Sequence, residues 1–184
     1  MTKTLLATIV AGLALVVAGC GGSDGETTTS AEATATTEWA DGLCAAISTW
    51  KDELTSVTDQ FTDLSSFSEE GLQNAADDVK SATDTFLEDV TSLGTPDTES
   101  GEEVKASVDE LSTTLQNELD SIQTTVEDTS GITALPGAVA DITASITAMS
   151  TALSSTITTI EDADVQGEIK DAIDNSPDCA SISS

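Results

Sequence analysis

The sequence predicts an all-α fold: an up-down-up-down four-helix bundle with a short C-terminal helical segment, preceded by a leader and a flexible tether. Apolar residues recur at intervals of three and four along four stretches of similar length. Glycine, proline and serine interrupt this spacing mainly between the stretches. The connections are short, and short connections make consecutive helices antiparallel neighbours.

The N-terminal residues follow the pattern of an export signal. Lys3 supplies a positive charge, residues 5–18 are apolar apart from Thr8, and small residues precede Cys20. The apolar run is about 14 residues long, whereas a membrane-spanning helix needs roughly 20. We therefore expect residues 1–19 to be a cleaved leader rather than a permanent anchor.

The junction Val17-Ala18-Gly19-Cys20 resembles the lipobox of bacterial lipoprotein precursors. The resemblance implies that a signal peptide of residues 1–19 is removed and that Cys20 is lipidated as the new N-terminus. It also implies attachment to the extracytoplasmic face of the cell membrane, where each buried methylene contributes about 0.8 kcal/mol. The alternatives are an ordinary signal peptide with an accidental cysteine and an uncleaved anchor.

After the leader, residues 20–37 are almost entirely small, hydroxylated or acidic. This composition buries too little apolar surface to fold, and it predicts a disordered, flexible tether. The helical bundle domain is then expected over residues 38–180.

The first two helices are predicted by their apolar stripes. The first stripe consists of Trp39, Leu43, Ile47, Trp50, Leu54, Val57, Phe61 and Leu64. The second consists of Leu72, Ala76, Val79, Phe86, Val90 and Leu93. The capping-box pattern Ser66-x-x-Glu69 predicts the start of the second helix, and Gly94-Thr95-Pro96-Asp97 predicts its end.

The third and fourth helices are predicted in the same way. The capping box Ser100-x-x-Glu103 opens the third and Ser130-Gly131 stops it. Leu135-Pro136 opens the fourth, because proline is tolerated in a first helical turn. The two stripes are Val104, Val108, Leu111, Leu115, Leu119, Ile122 and Val126, then Val139, Ile142, Ile146, Met149, Leu153, Ile157 and Ile160. Residues 164–175 form either a short fifth helix or a bent continuation, and Ser176-Pro177 ends it.

Two cysteines remain once Cys20 is assigned to lipid. Cys44 lies near the start of the first helix and Cys179 lies just after the last. In a bundle with an even number of antiparallel helices, both chain ends fall at the same pole, and exported proteins retain disulfides. We therefore expect a structural Cys44–Cys179 disulfide. A pair of free thiols and an intermolecular link are the alternatives.

The charge and the missing residue types restrict the function. The chain has 34 acidic and 5 basic residues, a net charge of −29, and its basic residues are all lysines. We therefore expect no nucleic-acid partner, because nucleic acids require a basic surface. Without histidine there is no imidazole base, nucleophile activator or metal ligand. We expect a protein that is not an enzyme and has no cofactor.

Acidic residues form the only pattern that resembles a metal site. Asp162-x-Asp164-x-Gln166-Gly167 matches the first half of an EF-hand loop, but Lys170 and Ile173 occupy positions where ligands belong. We therefore predict no metal site and interpret the segment as an acidic junction between helices. The pairs Glu69-Glu70, Asp77-Asp78, Glu102-Glu103 and Glu127-Asp128 are interpreted as solvated surface, with loose divalent-cation binding as the alternative.

Two further features are candidates for partner binding. Trp39 and Trp50 lie on the first stripe, which predicts core packing, although an exposed Trp39 would mark a docking point. The span from Ile142 to Ile160 carries no charge, and Ser and Thr fill most positions outside its stripe. Its candidate partner face consists of Thr143, Thr147, Ser150 and Ser154. A buried or glycosylated side of the bundle is the alternative.

The opening Trp39-x3-Leu43-Cys44-x5-Trp50, the stretch 93–98 and the closing Pro177-Asp178-Cys179 resemble small secreted helical lipoproteins of actinobacteria. The resemblance implies a fold and a location but no catalytic residue. We expect a membrane-anchored, non-catalytic binding or spacer module, held by its N-terminal lipid and open to an unidentified protein partner. The alternative is an acidic cation-binding or sensing module.

Overall fold

The computed structural model describes residues 29–61 and 68–180, and this part of the chain is helical without strands. The predicted leader 1–19, the lipidation site Cys20 and residues 21–28 lie outside the described residues. The helices are α1 (Thr29–Gln60), α2 (Glu69–Ser92), α3 (Gly101–Asp128), α4 (Leu135–Ala163), α5 (Glu168–Asn175) and α6 (Pro177–Ala180).

The four long helices pack together as a bundle, which confirms the predicted fold. Each of α2, α3 and α4 packs against the helix before it, and α5 and α6 lie mainly against α1. The predicted stripes form one continuous core, apart from Leu64, which lies outside the described residues. Its largest fully buried side chains are Trp50, Phe86, Ile47, Leu72, Leu115, Ile122, Ile142, Met149, Ile160, Ile169, Val79 and Val104.

Helix α1 begins earlier than the composition predicts. It starts at Thr29, so residues 29–37, assigned above to the flexible tether, belong to the helix. Ala and Glu are strong helix formers, and the segment contains neither Gly nor Pro. Thr36 is already buried. Packing stabilises the helix from Trp39 onward, so this segment can extend the helix without large apolar residues of its own.

The helix starts correct two details of the predicted capping. Ser68, rather than Ser66, is the N-cap of α2, and its hydroxyl oxygen accepts the Gly71 N–H at 3.1 Å. Ser100 is the N-cap of α3, but it makes no side-chain cap hydrogen bond. Its carbonyl oxygen instead accepts the N–H groups of Glu103 and Val104.

The turns after α2 and α3 occur where the sequence predicts them, whereas residues 62–67, between α1 and α2, lie outside the described residues. Gly94 and Gly131 follow α2 and α3 with φ angles of 69° and 84°, a conformation that favours glycine. Pro136 lies in the first turn of α4, as expected. Residues 164–175 are not a continuation of α4, because Asp164 ends that helix and Gly167 starts the separate helix α5. The short helix α6 continues beyond the predicted end at Ser176-Pro177.

None of the helices in the described part of the chain combines the length and the apolar character that a membrane crossing requires.

Candidate functional site

The disulfide between Cys44 and Cys179 is formed, as the sequence predicts. It joins α1 to α6 with a Cα–Cα distance of 4.9 Å and closes a loop of 135 residues. Both cysteines are buried. Because α1 begins at Thr29, Cys44 lies near the middle of this 32-residue helix, and the prediction that it lies near the helix start is wrong. The linkage therefore joins the middle of α1 to the C-terminal helix α6. Its burial gives it a structural role.

The two tryptophans are core residues with directional hydrogen bonds. Trp50 stacks on Phe86 with ring centroids 5.1 Å apart, and its indole Nε1 donates to Thr83 Oγ1 at 3.1 Å. Trp39 is 5% exposed, and its Nε1 donates to the Gly94 carbonyl oxygen at 3.2 Å. The interpretation of Trp39 as an exposed docking point is therefore wrong. Both rings fix α1 against α2 and the turn that follows it.

The half-match to an EF-hand loop is a helix cap in the structure. Asp164 is 7% exposed, and its Oδ2 accepts the N–H groups of Ile169 and Lys170 at 2.7 and 2.9 Å. A carboxylate at a helix start satisfies N–H groups that have no partner within the helix and interacts favourably with the helix dipole. Gln166 donates to Glu99 at 3.1 Å, which ties this junction to the turn before α3.

Lys170 connects α5 to the end of α4. Its Nζ lies 3.3 Å from Asp174 and 3.8 Å from Glu161. The hydrogen bond to Asp174, followed by the charge of Glu161, raises the pKa of Lys170 above its ordinary value. Because the lysine is exposed, water screens these pairs, and their contribution to stability is small.

The carboxylates are spread over the surface. All eight members of the predicted acid pairs are exposed, as expected of a solvated surface. Within residues 29–61 and 68–180, no group of three or more side chains of the metal-binding types is placed to hold an ion.

The candidate partner face lies on the outer side of α4. The structure brings Thr143, Thr147, Ser150 and Ser154 onto one exposed surface, so the interpretation of this side as buried is wrong. The uncharged span, bounded by Asp141 and Glu161, is about 27 Å long. In a chain of net charge −29, this surface is notable because no carboxylate interrupts it.

The hydroxyl groups of this face are already hydrogen-bonded within the helix. Thr143 donates to Val139 at 2.7 Å and Thr147 donates to Thr143 at 2.8 Å. Ser150 and Ser154 donate to carbonyl oxygens four residues earlier at 3.1 and 3.0 Å. A partner that covers the face therefore leaves no hydroxyl donor unsatisfied, which lowers the cost of removing water. The face presents methyl and methylene groups without charge, a composition typical of interface centres.

Comparisons of the chain with protein-family models, curated proteins and solved structures found no match. The functional conclusion therefore depends on the residues described above. The sequence does not reveal an open groove between α2 and α3. The apolar periodicity assigns the residues that line this groove to the core or to the solvated surface.

Proposed function

We propose that this protein is a lipid-anchored, extracytoplasmic lipoprotein that acts as a non-catalytic binding or spacer module, with the outer face of α4 as its interaction surface. The observation that carries the proposal is a disulfide-closed bundle with one long, exposed and uncharged face on an otherwise acidic molecule. A buried disulfide fits an oxidising compartment outside the cytoplasm.

The membrane attachment is supported by the sequence alone. The junction that ends at Cys20 resembles a lipobox, and the net charge of −29 opposes contact with anionic headgroups. The anchor is therefore expected to be the lipid, without electrostatic assistance. Intact-mass analysis of membrane-extracted protein tests this expectation. A chain that begins at Cys20 with the added mass of its acyl chains supports it, whereas an unmodified cysteine refutes it.

The interaction face is tested by inserting charge. Thr147→Lys and Ser154→Lys place a cation in the middle of the uncharged surface. Thr113→Lys is the matched control, because Thr113 is also exposed and also donates its hydroxyl to a carbonyl four residues earlier. Crosslinking in native cells followed by mass spectrometry is the measurement. We expect both α4 variants to lose crosslinked neighbours that the control retains. Equal crosslinking in all three variants would refute the assignment of the face.

The alternative function, cation binding or sensing, has a specific difficulty. One oxygen of the Asp164 carboxylate, Oδ2, already accepts two backbone N–H groups, and the other, Oδ1, is buried away from solvent. Calcium titration by calorimetry distinguishes the two functions. A stoichiometric, saturable transition supports the sensing module, and weak binding that disappears with added salt supports the spacer.

A further inference from the structure

A groove runs along the boundary between α2 and α3, away from the outer face of α4. Its volume is about 510 Å³, and it is open to solvent along one side. The lining of α2 extends from Gln73 to Asp84, which corresponds to a length of about 16 Å.

The floor of the groove is apolar. Ala76 and Ile122 are buried there, whereas Leu119 and Val126 are only partly covered. The short side chain of Ala76 fills little of the space between the helices, so the two larger residues of α3 remain accessible. Partly exposed aliphatic side chains at the bottom of a groove are typical anchoring points for an apolar ligand.

The walls of the groove are polar and acidic. Asp77, Asp84 and Asp120 line it together with one lysine, Lys80, which gives a local charge of −2 (1 − 3). Lys80 pairs with Asp84 on its own helix at 2.5 Å, so this lysine does not neutralise the charges of Asp77 and Asp120. The strong negative potential of the whole chain attracts cations to this groove.

The polar contacts along the walls stay within each helix. Gln73 donates to Asp77 at 3.4 Å on α2, and Gln123 donates to Glu127 at 3.2 Å on α3. Neither contact crosses the groove. A ligand can therefore enter between the two walls without breaking a bond that holds the helices together.

From the apolar floor, the acidic walls and the open side, we propose that the α2–α3 groove binds a basic amphipathic helix of a partner protein. Small-molecule pockets bury about 70–90% of their ligand, whereas this groove leaves one side of its occupant in water. A helix of about three turns spans the groove, with apolar residues at i, i+3, i+4 and i+7 on the floor and lysines beside the aspartates. A second copy of this chain is a poor occupant, because it also carries a charge of −29.

The test uses the full chain and a synthetic helical peptide of about 14 residues, with leucines at the anchoring positions and lysines elsewhere. A scrambled peptide of the same composition controls for charge. Binding is measured by fluorescence anisotropy at physiological salt. We expect saturable one-to-one binding of the first peptide and at least about tenfold weaker binding of the scrambled one. Equal binding of the two peptides, or complete displacement by spermine at equal charge, would show an occupant recognised by charge alone and overturn the proposal.

Variants of the chain locate the binding site. Asp120→Lys reverses a charge on the wall of the groove, and Asp141→Lys makes the same change on exposed α4. We expect the first to weaken binding about tenfold and the second less than about twofold. Val126→Thr keeps the shape of the floor but adds a hydroxyl group, and it is expected to weaken binding about fivefold. Circular dichroism establishes that each variant is folded. Equal losses for the two lysine variants, or no effect of Val126→Thr, would refute the assignment.

Discussion

The two halves of the bundle are held together by different kinds of contact. Four aromatic residues lie in the described part of the chain, and all of them belong to the half that contains α1 and α2: Trp39, Trp50, Phe61 and Phe86. Trp39 and Trp50 each donate a hydrogen bond to a defined acceptor there, and the disulfide ties α1 to α6. Helices α3 and α4 contain no aromatic residue and pack through aliphatic side chains.

This difference shows that the contacts that fix the alignment of the helices are distinct from the contacts that only bury apolar surface. A directional indole hydrogen bond is satisfied in one register only, so the α1–α2 half fixes how the helices align. Aliphatic residues at regular spacing pack almost equally well in related arrangements, and they contribute burial more than alignment. The α3–α4 half therefore adds apolar core to an arrangement that the first half defines, while its outer surface can remain uncharged.

The largest expected effect is removal of the disulfide. The double variant Cys44→Ala/Cys179→Ala opens a loop of 135 residues, and the chain-entropy relation gives a loss of about 5 kcal/mol in the free energy of unfolding. Urea denaturation followed by circular dichroism measures it. A loss below about 1 kcal/mol would show that the first half does not depend on its covalent link.

The next effect compares one buried residue from each half of the core. Trp50→Leu removes the stacking on Phe86 and the hydrogen bond to Thr83, and we expect it to cost about 3 kcal/mol. Met149→Leu changes an equally buried residue of α4 and is expected to cost less than about 1.5 kcal/mol. Both values come from chemical denaturation. Similar costs for the two variants would remove the distinction between the halves.

Substituting two glycines by alanine is expected to change the stability by smaller amounts and in opposite directions. Both lie in the first turn of a long helix, Gly101 in α3 and Gly137 in α4. A Cβ at Gly101 would lie closer than 3.0 Å to the Pro96 carbonyl oxygen, whereas one at Gly137 would have no neighbour within 4 Å. We expect Gly101→Ala to destabilise the fold by about 2 kcal/mol and Gly137→Ala to stabilise it by about 0.5–1 kcal/mol. Thermal unfolding of the two variants provides the measurement, and a shift in the same direction would contradict this account.

The smallest effect concerns Lys170, which links α5 to the end of α4. Asp174 and Glu161 raise its pKa in the folded state. Lys170 therefore stabilises the fold fully while the pH is below the pKa that this lysine has in the unfolded chain. The contribution is lost as the pH rises through its raised pKa in the folded state. We expect an NMR titration of the side-chain amine to show the raised pKa and Asp174→Asn to lower it. An unchanged titration in the variant would exclude the pairing.

The sequence predicts the bundle well because its signals are local. Gly94, Gly131 and Pro136 mark turns through backbone preferences that require no tertiary information. The cysteine pairing was predictable because an even number of antiparallel helices brings the two ends of the chain close together. The helical segment from Thr29 was missed because it lacks an apolar stripe and depends on the packed helix that follows it. The sequence predicts Ser66 as the cap because Glu69 follows it by three residues, but a capping pattern does not specify which residue adopts the extended backbone.

The candidate sites were harder to predict than the fold. The face of α4 was recognised from its lack of charge, which is visible in the sequence. Asp164 was placed in a metal-like pattern, but its role as a cap depends on how the chain turns at Gly167. The groove was missed because the spacing between α2 and α3 depends on tertiary packing, and Ala76 appears in the sequence as an ordinary member of a stripe.

The buried disulfide also determines how the protein would respond to mechanical force. A tensile load applied between the residues before Cys44 and the C-terminus passes through the covalent bond rather than through the bundle. The chain between the two cysteines, which are 135 positions apart and span a contour length of about 470 Å, is shielded from stretching while the bond is intact. Under such a load the protein would extend only through its two ends, as a tether of nearly constant length.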